Sequence, residues 1–476
     1  MQPTIFGFIV VLVGLVSLFR PIHWAFALAV VCTEFGGAAA INVPALGGSS
    51  IQPSHLALGF LVLRLLLERR VGVGGWVTAI EDNLFLFAFG LYTAITAFIL
   101  PRLFQGEISV IPLRVTNGNF FTRVPVGFSS QNITAAVYLI GTALFAISAA
   151  LMARRRETTM KLISALIWVG WLHVAFGVAD LVLSAAGHHE LLDFFRNGNY
   201  AQLNQGEQGF HRIAGVFAET SAYSHYALVF LVFTTELWLR SILVTQARAL
   251  ALALLTMLLL TTSTSAYIGV AAYSLVLAAR FIFVPGGVRP GFVVSSAGVV
   301  LCAAGLALLL VVADPRLSDR IIQVVTDMTV NKATSASGRE RAAWAAQALQ
   351  AFSASHGLGV GAGSFRSSSL VYAILGSSGL VGAAFFFLAL ANLIKPFRAS
   401  TYRADVDGRQ GAGVAAAWAA AIGLAPLVFT GTSADPGALF GLFAGLAMGW
   451  RGVAALRRAQ PTRWASARRP GLEGAT

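Results

Sequence analysis

Apolar runs long enough to cross a lipid bilayer recur along this chain, at Thr4–Phe19, Asn83–Leu100, Ile133–Met152 and Phe292–Ala313 among others. Crossing about 30 Å of hydrocarbon as a helix takes roughly 20 apolar residues. Within hydrocarbon each backbone N–H and C=O must find its partner inside the protein, which leaves helices or closed barrels. The runs are continuously apolar rather than alternating, so they read as helices. Charged residues make up only 11% of the chain, against about 25% in soluble domains. The expectation is an all-α, polytopic helical membrane protein with about 12–13 transmembrane helices.

The net charge of +13 raises the question of nucleic acid, but the basic residues do not gather on one soluble face. They stand in short groups at the ends of apolar runs: Arg69-Arg70, Arg154-Arg155-Arg156, Lys395 with Arg398, and Arg457-Arg458. That is the positive-inside pattern of membrane proteins, and it excludes nucleic acid as the expected partner. Spans are expected at 4–19, 22–40, 52–68, 83–101, 132–152, 160–186, 222–239, 248–262, 266–284, 292–313, 371–394, 411–430 and 436–453. With the arginine groups on the cytoplasmic side, the N-terminus faces out and the C-terminus in. Residues 1–313 then form an N-terminal bundle with outward loops at about 102–131 and 187–221, and 314–370 is a long outward loop. Residues 371–456 complete the membrane region, and 457–476 form a short basic tail. MQPTIFGFIV lacks a positively charged start and a cleavage site, so it reads as a retained span. Cys32 and Cys302 both lie in apolar stretches and read as core thiols.

The longest outward loop carries signs of order. Ser337-Gly-Arg-Glu340 has the form of a capping box, followed by helix-forming residues through Phe352. Trp344, Ala348 and Phe352 share one helical face, and Gly357 is placed to end the helix. This helix would present Arg339 and Arg341 in its first turns. The glycine-rich run from Gly357 to Gly363 permits a close approach to a ligand or a tight turn re-entering the membrane.

Polar residues collect at the outward face. Arg212, Arg339 and Arg366 each sit in a short Gly/Ser/aromatic segment, Arg341 is beside them, and planar guanidinium groups suit phosphate. Arg316 and Arg320 read as ordinary loop charges paired with Asp314 and Asp319. Glu219, between Phe217 and Tyr223 at a water–lipid boundary, is the expected acid/base group. An ion pair with Arg212 that only orients the segment is its alternative. His211, His225 and His356 are alternatives to Glu219, although a lone loop histidine is more often simply solvated, and no histidine pair has metal-binding spacing, so neither metal nor cofactor is expected. Asp405-Val-Asp407 mimics a nucleotide-sugar motif, but no α/β domain accompanies it. Within spans, Arg64 and Glu236 are expected to snorkel toward the cytoplasmic surface, whereas Glu34 and Asp180 are expected to line the bundle interior.

These segments resemble the O-antigen polymerase/ligase superfamily of bacterial membrane proteins, which includes Wzy-type polysaccharide polymerases and O-antigen ligases. The family's R-x-x-G-x-F-x-E-P-S-like signature corresponds to Arg212-Ile-Ala-Gly215-Val-Phe217-Ala-Glu219-Thr-Ser221. Its S-G-R…W stretch corresponds to Ser337-Gly338-Arg339…Trp344. Its G-x-G-x-G-S stretch and following G-x-x-G correspond to Gly359–Ser364 and Gly379-Leu-Val-Gly382. Three positions depart from it: Thr220 replaces proline, Thr262–Ser265 replace Ser-Arg-Gly, and Ser368-Ser369 stand where ligases carry a His-Asn-like pair. Loss of that histidine argues against a ligase.

The resemblance implies an inner-membrane enzyme that polymerises oligosaccharide repeats carried on undecaprenyl diphosphate, with its active face periplasmic. Donor and acceptor would both be lipid-linked glycans, and a chain-length regulator and a flippase of the same pathway would be partners. Arg212 and Arg339 would act with Glu219 in catalysis; Arg341, Arg366, His211, Tyr223 and Ser368 would bind substrate. An O-antigen ligase, a polysaccharide transporter or flippase, and a non-enzymatic assembly partner remain alternatives. Transporters favour internal repeats and charges at the membrane midplane, and no internal repeat is visible here.

Overall fold

The computed structural model describes residues 2–476 except 44–48, 114–121, 199–205, 208–209, 299–304, 306–325, 327–335, 407 and 460–476. The chain is built almost wholly of helices: α1 (Ile5–Phe19), α2 (His23–Glu34), α3 (Pro53–Leu66), α4 (Gly72–Asp82), α5 (Leu84–Leu103), α6 (Ser130–Arg154) and α7 (Thr159–Ala185) come first. They are followed by α8 (Thr220–Leu239), α9 (Val244–Leu260), α10 (Thr264–Phe283), α11 (Ala336–Ala354), α12 (Leu370–Ile394), α13 (Gly408–Thr430) and α14 (Ala438–Ala459). Among the described residues α5, α6, α7, α10, α12 and α13 are long and apolar enough to cross a membrane. Helices α1, α2, α3, α9 and the apolar part of α14 are shorter. The protein is therefore a multi-pass, all-α membrane protein. Residues 314–325 and 327–335, with Arg316 and Arg320, lie outside the described residues, as does most of the expected 292–313 span and Cys302.

Small residues bring the central helices close together. Gly441, Gly445 and Gly449 on α14 lie against the α6 backbone at Thr142, Ala146 and Ala150, so close that a methyl at any of them would strike α6. This is the small-xxx-small packing of membrane helices, where dispersion replaces the hydrophobic drive that lipid cannot supply. Helix α8 lies deep in the bundle, with Ala227–Thr235 all buried.

One end of the bundle is basic. Arg154 pairs with Asp82, Arg155 with Glu68 at 3.8 Å, and Arg64 with Glu68 at 3.0 Å. Helix α4, which the apolar-run reading passes over, is a glycine-rich piece at this end, carrying Asp82 as its last residue. Here the structure corrects one expectation. Glu236 does not snorkel: it is wholly buried, bound by Arg240 one turn on, by Arg280 of α10 and by the Tyr273 hydroxyl at 3.0 Å. Two guanidinium groups and a phenol satisfy its oxygens, which makes the burial affordable. Asp405 is exposed and pairs with Arg403.

The opposite end carries the loops. A three-stranded sheet joins β1 (Gln2–Pro3), β2 (Ile41–Val43) and β3 (Ser49–Ile51) in antiparallel order. The expected 22–40 span is consequently shorter: α2 stops at Glu34, and Gly36 and Gly37 turn the chain beneath Phe217 and Val216. Two two-residue hairpins follow, β4 (Ser109–Val110) with β5 (Val124–Pro125), and β6 (Gly206–Glu207) with β7 (Phe210–His211). A second apolar cluster separate from the membrane core, including Leu100, Phe104, Val126, Ala348, Ala351, Val360 and Phe365, fixes α11 over this end.

Candidate functional site

The stretch from Arg212 to Glu219 is an irregular loop held from below. Asp180, wholly buried in α7, accepts the backbone N–H groups of Ala214 (2.8 Å) and Gly215 (2.9 Å) through Oδ2. Arg196 donates to Asp180 Oδ1 at 3.1 Å and, through Nε, to the Gly215 carbonyl at 2.9 Å. Gly215 has φ +56°, and a Cβ there would meet the Tyr223 ring at 3.0 Å, so glycine suits the turn on both counts. Gly37 N–H donates to Val216 O at 3.2 Å. Ile213, Val216 and Phe217 face the core, while Arg212 and Glu219, at the two ends, remain half-buried.

Glu219 stands at the N-cap of α8 in extended conformation, where the positive end of the helix favours a carboxylate. Its Oε1 accepts the Ser221 hydroxyl at 2.5 Å.

The facing wall comes from α11 and the segment after the glycine run. Gln347, almost fully buried, accepts Ile111 N–H at 2.7 Å and donates to Arg366 O, while Arg366 N–H donates to Ile111 O at 3.1 Å. One amide thus locks three distant segments together. The Arg366 guanidinium lies 4.4 Å over the Trp344 ring, in the geometry of a cation–π contact. Its buried Nε has no hydrogen-bond partner. Burial pushes Arg366 below the usual guanidinium value, and the carboxylates of Glu219 and Glu340 act in the opposite direction. Glu219 and Arg366, far apart in sequence, are therefore electrostatic neighbours. Ser367 N–H reaches Thr432 O at 3.1 Å, and Ser368 Oγ donates to Arg341 O at 2.6 Å.

The glycine run enters a break in α12. Gly379 has φ +63° and ψ −158° inside that helix, which frees carbonyls on its first half. Val360 N–H and Gly361 N–H cap Gly376 O (2.8 Å) and Ser377 O (2.9 Å), and Leu380 N–H returns to Gly357 O at 3.0 Å. Gly359, Gly361 and Gly363 all have positive φ. The run is thus a structural turn docked into a broken helix, with Asn132 Nδ2 holding Ala362 O at 2.8 Å.

The structure gathers Glu219, Arg366, Trp344, Glu340 and the 341–368 contact into one region. Arg339 is exposed in the first turn of α11, and among the described residues no hydrogen bond or ion pair ties it to Glu219 or Arg366. Arg212 stands within electrostatic reach of Tyr267 on α10. Ser368 is buried with its hydroxyl committed to Arg341. Tyr223 is wholly buried and stacks on His173 with ring centroids 4.0 Å apart, so it supports the loop from beneath instead of facing outward. His211 lies in β7, and its side chain is outside the description, as is that of Ser337; α11 begins one residue before that serine. Gln347, Arg196 and Ile111 carry no local motif that would single them out. Among the described residues no three His, Cys, Asp or Glu side chains are grouped to hold a metal ion.

No protein-family model matches the chain, and no curated protein matches it.

Proposed function

We propose that this protein is a polysaccharide polymerase of the bacterial inner membrane, working at its periplasmic face. The donor is a glycan on undecaprenyl diphosphate and the acceptor a lipid-linked repeat unit. An acceptor hydroxyl attacks the anomeric carbon with inversion; the new C–O bond forms as the bond from that carbon to the diphosphate oxygen breaks. The electron pair leaves with the lipid diphosphate, and the hydroxyl proton passes to Glu219. Charge growing on the diphosphate is met by guanidinium groups aimed at it, with Arg366 the best placed, Arg212 and Arg339 at the same end of the bundle, and Arg341 beside Ser368.

The observation that carries this reading is the electrostatic proximity of Glu219 to Arg366, whose flat guanidinium rests on Trp344 with Nε uncommitted. A carboxylate base beside a partly desolvated arginine offers a proton acceptor and an anion donor in one place. The test is reconstitution of the purified protein in vesicles with a defined undecaprenyl-diphosphate oligosaccharide, read as a ladder on a gel. Elongation by the wild type and its loss in Glu219→Gln supports the assignment; movement of the lipid-linked glycan across the vesicle without elongation overturns it in favour of transport.

A further inference from the structure

A cavity of about 560 Å³ opens sideways between α3, α5 and α6, well within the range of small-ligand sites. Its walls are apolar but for His55 of α3, whose buried Nε2 has no hydrogen-bond partner: Leu58 and Val62 from α3, Ile95 and Phe98 from α5, Val137 and Ile140 from α6. Ile95, Phe98 and Val137 are exposed at its mouth, so it faces the surroundings of the bundle and not its interior. The cavity follows α6 from Ile133 to Leu144, about 16 Å of helix. That is close to half of the roughly 30 Å hydrocarbon thickness. The groove therefore has the depth of one leaflet, the one on the loop side.

One cation, Arg102, stands at its outer rim, with one guanidinium nitrogen donating to the Phe98 carbonyl. Arg102, one turn beyond Phe98, is exposed and lies with Cζ 3.6 Å over the Phe128 ring, and Phe128 in turn contacts Phe98 at 5.7 Å. Gly59 lines the wall, and a Cβ there meets nothing within 4 Å, which leaves the space a chain would take. The axial order is an apolar slot one leaflet deep, then a guanidinium fixed at headgroup level. That order matches a phospholipid: acyl chain below, phosphate above. A polyprenyl chain is far longer than the slot. The 357–364 turn, packed through Gly361 on Pro101 of α5, stands on the same helix.

We infer that the α3–α5–α6 groove is a binding site for one acyl chain of an anionic phospholipid whose phosphate is held by Arg102. This site is separate from the Glu219–Arg366 region and stands independently of the polymerase reading.

The test is native mass spectrometry of the full-length protein released from nanodiscs, with phosphatidylglycerol, phosphatidylcholine and undecaprenyl phosphate as probes. Wild type is expected to retain one phosphatidylglycerol. Gly59→Phe, which fills the slot without a backbone clash, should cut that occupancy at least tenfold. Arg102→Gln should remove the preference over phosphatidylcholine while leaving some lipid bound. Val62→Trp provides a second plug, with a thermal melt confirming that each variant is folded. Unchanged retention in both plugged and folded variants overturns the site. Preferential retention of undecaprenyl phosphate overturns the choice of occupant.

Discussion

His173 Nδ1 lies 2.9 Å from Glu34 Oε1, and both side chains are entirely shielded from solvent. The pair joins α7 to the last residue of α2, immediately before the Gly36-Gly37 turn that supports Val216 and Phe217. His173 is also sandwiched by Tyr223 and by Tyr226, whose hydroxyl bonds Thr33 Oγ1 at 2.9 Å. Breaking a buried pair strands the surviving partner, at a cost of about 3–5 kcal/mol. His173→Leu should therefore lower the thermal melting temperature of the detergent-solubilised protein sharply. Adding Glu34→Leu to it should recover most of the loss; a double variant no better than the single would show that the pair is not coupled.

Arg366 is expected to depend on shape as well as charge. A lysine keeps the charge but loses the flat surface that rests on Trp344 and, on the polymerase reading proposed above, the fork that would meet two phosphate oxygens. Arg366→Lys should reduce glycan elongation about tenfold and Arg366→Ala about a hundredfold, on the scale of removing one charge-stabilising donor. Gel ladders from vesicles carrying equal amounts of protein would measure both.

Asp180 grips the Arg212–Glu219 loop from inside the bundle. Asp180→Asn removes the charge that Arg196 answers and weakens two bonds to backbone N–H groups, each worth about 1.5–3 kcal/mol when a charged partner is involved. Amide exchange at Ala214 and Gly215 should accelerate, with little change in α12. Exchange rising equally in both places would mean general unfolding.

The turn between α13 and α14 contains Asp435, whose Oδ1 accepts Thr142 Oγ1 at 2.8 Å and Gly437 N–H at 3.1 Å. Burial pushes this carboxyl up, against the pull of those two bonds. A carboxyl raised in the folded state contributes stability below its unfolded value that is lost as pH rises through the folded value. Asp435→Asn, which keeps the acceptor without the charge, should thus gain melting temperature relative to wild type at pH 7 and lose that advantage near pH 4. An advantage independent of pH would refute the electrostatic account.

Much of this architecture can be read from residue order, because continuous apolar runs have one solution in lipid. The run 132–152 becomes α6 at Ser130–Arg154, and the helix-forming stretch from Ser337 to Phe352 falls within α11 at Ala336–Ala354, which starts one residue before the serine expected to cap it. The interior positions of Glu34 and Asp180 follow from the cost of charge in hydrocarbon, and both are fully buried. What escapes is pairing between helices. Glu236 reads as a snorkelling carboxylate until Arg280 and Tyr273 arrive from α10, and Tyr223 reads as a substrate-binding residue until His173 stacks on it. Gln347 looks like any helix-surface amide, yet it couples residue 111 to residue 366. Such contacts depend on the relative rotation of helices, which no local pattern encodes.

Glycine substitutions probe the broken helix. At Gly359, φ is +83° and an added Cβ would lie 2.6 Å from the Ser377 carbonyl carbon. Gly359→Ala should destabilise the protein by several kcal/mol, since left-handed strain and a backbone clash add to each other. Gly74→Ala on α4, where a Cβ meets nothing, is the matching control and should leave the melt unchanged or slightly higher.

The docking of residues 357–361 into the gap at Gly379 also constrains biogenesis. A segment as apolar as α12 can enter the bilayer while it is still being synthesised, but its two halves are joined through a turn that precedes it in the chain. Until that turn folds back, the carbonyls of Gly376 and Ser377 lack their caps in a medium that supplies no water to replace them. The same docking fixes the start of the segment that carries Arg366, a few residues beyond the turn.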